Sequence, residues 1–190
     1  IGLFNQLGLP FWAEFMLVIL ILDFFIWLQH LLTHKIEFLW RIHRVHHSDT
    51  EMDVSTAIRF HPIEIALSMA LKISLVYALG ADPLSVLIFE ILLNGSSIFN
   101  HANINIPNRI DKIVRFLIVT PDMHRIHHSS DRIEHDTNFG FALSIWDHIF
   151  QTYKSRPERD HKEMEIGLNW QDEKPQELGW SLGLPFKKNG

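Results

Sequence analysis

The sequence predicts an all-α, polytopic integral membrane protein carrying a cytoplasmic, histidine-rich helical metal-binding domain. Three observations support this: three long apolar runs, Lys and Arg confined to the stretches between and after them, and 13 histidines among 190 residues. With 47% hydrophobic and 12% aromatic residues the chain can bury a large apolar surface, and it reads as a single ordered domain.

The first run, PFWAEFMLVILILDFFIWLQHLL, predicts a membrane helix over about 10–33, with Glu14 and Asp23 as its only charges. Further runs predict helices over about 63–79, carrying only Glu64 and Lys72, and about 84–100, carrying only Glu90. Gly80-Ala81-Asp82-Pro83 between them is a stop and turn signal, so the pair reads as a membrane hairpin. Two core helices of a soluble bundle are the bland alternative, since 16 or 17 residues is short for a span. Lys and Arg are absent from 1–34 and from between Lys72 and Arg109, so all but Lys72 fall in 35–61 and 109–190. The positive-inside rule puts both stretches on the cytoplasmic side, together with nearly all histidines. From Ile104 onward the chain reads as short cytoplasmic helices with one amphipathic piece at 139–153. We divide it into a membrane-embedded domain, 1–153, and a polar tail, 154–190, that packs on the cytoplasmic face or rests at the interface. Ile1 and the lack of a charged n-region predict no intact signal peptide and a trimmed or partial chain.

Composition excludes several functions. A net charge of −5 argues against a nucleic-acid binder that works by neutralising phosphates. Zero cysteines removes disulfides, thiolate zinc sites, Cys-ligated iron–sulfur clusters and a cysteine nucleophile, so any metal is held by nitrogen or oxygen.

His43-Arg44-Val45-His46-His47-Ser48 and His124-Arg125-Ile126-His127-His128-Ser129 are nearly the same hexapeptide, each an HxxHH box. At this histidine content about 0.06 such boxes are expected by chance. Positions i, i+3 and i+4 share a helix face, so each box can direct three imidazoles toward one point, half of a site. His30 and His34, at i and i+4, stand at the cytoplasmic end of the first helix, and His101 closes the hairpin. Nine candidate ligands (His30, His34, His43, His46, His47, His101, His124, His127, His128) exceed the four of one structural metal and point to two. His135 is an even choice between ligand and bystander. His61 reads as an interfacial hydrogen-bonder, and His148 and His161 as solvated. Asp23, seven residues before His30 on the same face, is a candidate to orient an imidazole, and a buried bond to another helix fits nearly as well. Asn100 and Asn138 are candidates for a weak ligand or catalytic hydrogen bond, against the commoner turn or cap role. There is no HExxH, GxSxG, phosphate loop or dinucleotide fingerprint. An imidazole-rich, carboxylate-poor site suits iron, zinc or copper. Bis-histidine haem gives no reason for adjacent His-His pairs, and two irons fit more economically.

His30-Leu31-Leu32-Thr33-His34 followed by the two boxes in a polytopic chain resembles the fatty acid hydroxylase / sterol desaturase superfamily of membrane di-iron oxidases. The likeness covers about 15–153. HRVHHSDTEMDVSTAIRFHPIE, TPDMHRIHHS and HDTNFGFALSIWDHIFQTY resemble its bacterial sterol-desaturase-like and alkylglycerol monooxygenase branches. The resemblance implies two irons on the cytoplasmic face above a cavity reached by lipid, with O2 as co-substrate and zinc as a metal that overexpression can misload. Some members carry an HxxxH third box; Ser97 stands four before His101, which leaves that box incomplete. Members usually have further membrane helices upstream, which implies that an N-terminal portion is missing. The implied reaction is hydroxylation of a membrane lipid (fatty acyl, ether lipid or sterol) in the bacterial inner membrane, or in the endoplasmic reticulum if the source is eukaryotic. Alternatives are desaturation at the same centre or a non-catalytic membrane zinc-binding protein. Electrons would come from a separate donor, cytochrome b5-like, ferredoxin or reductase, docking near Arg109, Lys112 and Arg115, a stretch that also reads as ordinary membrane-surface charge.

Overall fold

The computed structural model describes residues 2–170 and 175–187; of the expected 154–190 tail, 171–174 and 188–190 lie outside them. Among the described residues the chain is helical, with no strand beyond two isolated bridges, Ile118 to Leu143 and Ser129 to Ile166. A short α1 (Leu3–Leu7) leads into α2 (Phe11–Lys35), then α3 (Glu37–His43), single 3-10 turns at His46–Ser48 and Thr56–Ile58, and the hairpin α4 (Pro62–Leu79) and α5 (Pro83–His101). α6 (Asn108–Val114), α7 (Pro121–His127), α8 (Arg132–His135), α9 (Ile145–Ile149) and α10 (Leu178–Gly183) are all short.

α2, α4 and α5 are each long and apolar enough to cross a membrane. Their surface is inverted relative to a soluble bundle. α4 buries Glu64 and Leu79 while Ile73 is 61% and Tyr77 76% exposed, an arrangement that suits a helix crossing a membrane. The hairpin turn follows the sequence chemistry. Gly80 ends α4 with φ +64, and Asp82 caps α5 by accepting from the N–H groups of Leu84 and Ser85 at 2.9 and 3.2 Å. Glu14 of α2 accepts from Asp82 N–H at 2.9 Å, tying the turn to the start of α2. A core of Phe4, Val18, Leu22, Ile26, Leu79, Phe89 and Leu93 fills the space at this end. The opposite ends of the three helices, carrying His34, His61 and His101, lie together.

The expected amphipathic piece at 139–153 is not one helix. Only Ile145–Ile149 is helical, because Phe139 and Gly140 turn to give their N–H groups to the Asp147 carboxylate. Nor does it stay clear of the membrane helices. Trp146 Nε1–H donates to Asp23 at 2.8 Å and Trp27 Nε1–H to Asp147 at 3.0 Å, a crossed pair of indole–carboxylate bonds. Asp23 lies eleven residues before His34, so α9 sits about 16 Å down α2 from the histidine end, where Phe150 stacks on Trp27. The tail returns to the first histidine box. Arg44 donates to the carbonyls of Leu184 and Lys187, both at 2.7 Å, while Trp180 and Leu184 pack with Val45 and Leu168.

Candidate metal centre

Nine buried imidazoles converge where α2, α3, α5 and α7 meet. They form two adjoining clusters, His30, His34, His43, His47 and His127 in one, and His46, His101, His124 and His128 in the other, with one nitrogen of each ring within 4.8 Å of the rest of its cluster. The expectation that each HxxHH box aims at one point is corrected here. The first box gives His43 and His47 to one cluster and His46 to the other; the second gives His127 to the first and His124 and His128 to the second. The reason is local. α3 ends at His43, and His46 and His47 sit on a tighter 3-10 turn that turns neighbouring rings to opposite sides, 87° apart in plane. α7 holds its shape to His127 because Thr120 caps it, with Pro121 in the first turn, and His128 is its C-cap. The clusters touch through His47 stacked on His128, centroids 4.6 Å apart.

Most of the rings have one nitrogen bound and the other free. Nδ1 faces an oxygen in His30 (Phe139 O, 2.7 Å), His43 (Glu64 Oε1, 2.6 Å), His101 (Ser97 O, 2.7 Å), His127 (Thr137 O, 2.8 Å) and, more loosely, His46 (Arg59 O, 3.3 Å). Donation there fixes the tautomer and leaves Nε2 as a lone pair. In the first cluster Nε2 of all five histidines is buried with no hydrogen-bond partner. In the second, Nε2 of His101 lies 3.1, 3.2 and 3.2 Å from those of His124, His46 and His128, and His124 and His128 are 3.3 Å apart. Four imidazole nitrogens bound tetrahedrally at about 2.0–2.1 Å are spaced by about 3.3 Å, so this set matches a metal's demand. Burial first, then neighbouring imidazoles, hold His46, His47, His124, His127 and His128 well below the usual 6.5, keeping them neutral and able to ligate.

The other expected residues fall around this centre. His135 lies at its edge, stacked on Trp40 and grouped with His34 and Asp136, outside both large clusters. Asp23 touches no imidazole and takes the bond to another element instead. Asn100 donates to Phe141 O at 2.6 Å. Asn138, at φ +56, donates to Met123 O and Lys154 O and accepts from Lys154 N–H, all at 2.8–3.0 Å, bracing the loop beside α7. His61 caps α4 by accepting from Ile63 N–H. His148 and His161, expected to be solvated, are half-buried, and His148 packs 4.1 Å from Tyr153. Arg115 is buried, paired with Asp111 and bonded to Ser155 O, so the expected basic patch reduces to Arg109 and Lys112. Sequence reasoning missed Glu64 and Asp147. Asp147 positions the loop whose Phe139 carbonyl holds His30. The one sequence signal for Glu64 was a carboxylate in an apolar run.

A cavity of about 260 Å³ lies between α2, α4 and α5, with His30 and His43 in its wall. Its lining includes Ile58 and Ile65, which are themselves exposed at the protein surface.

The chain is 33% identical over 150 residues to an ornithine lipid hydroxylase of Rhizobium tropici, covering 78% of this chain and 44% of that one. It is 28% identical to human alkylglycerol monooxygenase over 142 residues (72% and 30%) and 28% identical to human cholesterol 25-hydroxylase over 147 (74% and 50%). The chain therefore spans half or less of the length of each of these relatives. No solved structure matches it. The fatty acid hydroxylase family profile matches residues 15–152, a stretch that contains both histidine clusters, the hairpin α4–α5 and all but the first four residues of α2, and the chain belongs to that family.

Proposed function

We propose that this protein is an O2-dependent di-iron oxidase that hydroxylates an unactivated C–H bond of a membrane lipid. The observation that carries the reading is the pair of adjoining all-imidazole clusters at one end of three membrane-length helices, one of them walling a cavity. His30, His34, His43, His47 and His127 would hold one iron, and His46, His101, His124 and His128 the other. Bound iron supplies the activation of O2 and the oxidising power. The chain's own part is positioning and dryness: neutral imidazoles fixed through Nδ1, a buried shell that excludes water, and a cavity that places a lipid C–H beside His30 and His43. Balance requires R–H, O2, two electrons and two protons to give R–OH and water, so a separate one-electron donor protein supplies the reducing equivalents. The Lys and Arg distribution supports a cytoplasmic centre. The relatives are hydroxylases and a monooxygenase, which favours hydroxylation over desaturation.

Iron and zinc content per chain, with a Mössbauer spectrum of 57Fe-grown protein, is the test. Two irons in a coupled, nitrogen-rich site, with a hydroxylated lipid lost in His46→Ala and His127→Ala, is the expected result. Zinc that iron does not replace under reducing conditions, with lipid composition unchanged by those variants, overturns it.

A further inference from the structure

The membrane helices carry polar side chains where lipid contact would call for none. On α4, Glu64, Ser68 and Lys72 recur every four residues, and with Gln29 of α2 and Asn94 of α5 they line the cavity beside His30 and His43. Lys72 is eight residues beyond Glu64, about 12 Å farther from the imidazoles. Its Nζ donates to both carboxylate oxygens of Glu90 on α5, at 2.7 and 2.9 Å, and the two side chains are 13% and 35% exposed. An ion pair at this depth is costly in hydrocarbon, and a plain acyl chain would be lined better by apolar residues. Nearer the imidazoles, Gln29 Oε1 and Glu64 Oε2 are buried without a hydrogen-bond partner. Both atoms are acceptors, so each lacks a donor.

We infer that this polar stripe is a specificity subsite that takes a hydroxyl or amide N–H of the substrate, donated to Gln29 Oε1 and Glu64 Oε2, with the Lys72–Glu90 pair closing its far end. The substrate class is then an amphiphile bearing a hydrogen-bond donor close to the carbon that is oxidised, rather than an ester-linked acyl chain. This rests on the reading of the histidine centre as a lipid oxidase.

The test uses the iron-loaded full chain in nanodiscs, in air and with ascorbate and phenazine methosulfate supplying the two electrons per turnover, holding equal amounts of an N-palmitoyl amino acid, which has an amide N–H, and dipalmitoyl phosphatidylcholine, which has no hydrogen-bond donor. Hydroxylated product from the amide lipid should exceed that from the ester lipid by tenfold or more. Gln29→Leu should bring the ratio toward one. Lys72→Met with Glu90→Leu, which exchanges the ion pair for apolar side chains of similar length, should also lower it. Thermal unfolding and iron content confirm that each variant is folded and loaded, so that the ratio reports selectivity. Equal oxidation of both lipids by the wild type, or an unchanged ratio in Gln29→Leu, overturns the subsite while leaving the oxidase reading intact. Oxidation of neither lipid, with iron bound, overturns both.

Discussion

Glu64→Ala isolates a single contact of the candidate metal centre. Glu64 Oε1 accepts from His43 Nδ1 at 2.6 Å, with the ring 2% and the carboxylate side chain 10% exposed, so water replaces little of what is lost. A hydrogen bond to a charged group contributes about 1.5–3 kcal/mol, which at 1.4 kcal/mol per decade is about 10–100-fold in iron affinity. Glu64→Gln keeps a neutral acceptor and should lose about tenfold at most. The loss should be confined to the cluster holding His43, because none of His46, His101, His124 and His128 bonds to Glu64. Chelator competition should therefore show one iron leaving 10–100-fold more readily than the other, with Mössbauer intensity falling toward half. Iron retained by Glu64→Ala as tightly as by the wild type, with the protein folded, would refute the claim that this carboxylate orients His43.

Acid should unfold the apo protein steeply. His46, His47, His124, His127 and His128 are held below the usual 6.5 in the fold, so the stability they contribute is complete above 6.5 and is lost as the pH falls below it, when the unfolded chain takes up protons first. Five rings give a slope of up to about 7 kcal/mol per pH unit, read by unfolding at pH 7.5, 6.5 and 5.5; a flat profile contradicts it. Asn138→Ala removes three bonds to buried or half-buried backbone and leaves Ala at φ +56, and should cost about 3 kcal/mol in denaturant unfolding. Asp147→Ala strands the N–H groups of Phe139 and Gly140 and the Trp27 indole, and should lower both the unfolding temperature and iron content, since Phe139 O no longer meets His30 in register. Unchanged iron content would show that His30 is held without this loop.

Much of this protein is decided locally and was legible in the sequence. Hydropathy within one window predicts α2, α4 and α5; Gly80, Asp82 and Pro83 specify their own turn; and two HxxHH boxes declare a metal chemistry with no partner in view. The segment around Asp147 and the sorting of ligands were not legible. Which imidazole joins which cluster depends on the 3-10 turn after α3 and on how α7 docks against α5, and periodicity along one helix does not contain either. The contacts that orient the rings join residues far apart in sequence: His43 to Glu64 over 21 positions, His30 to Phe139 over 109, Trp27 to Asp147 over 120. A carboxylate in an apolar run reads the same whether it meets an imidazole, as Glu64 does, or an indole, as Asp23 does. Only the packing of the helices chooses between them, because it sets which buried acceptor lies within reach of which buried donor.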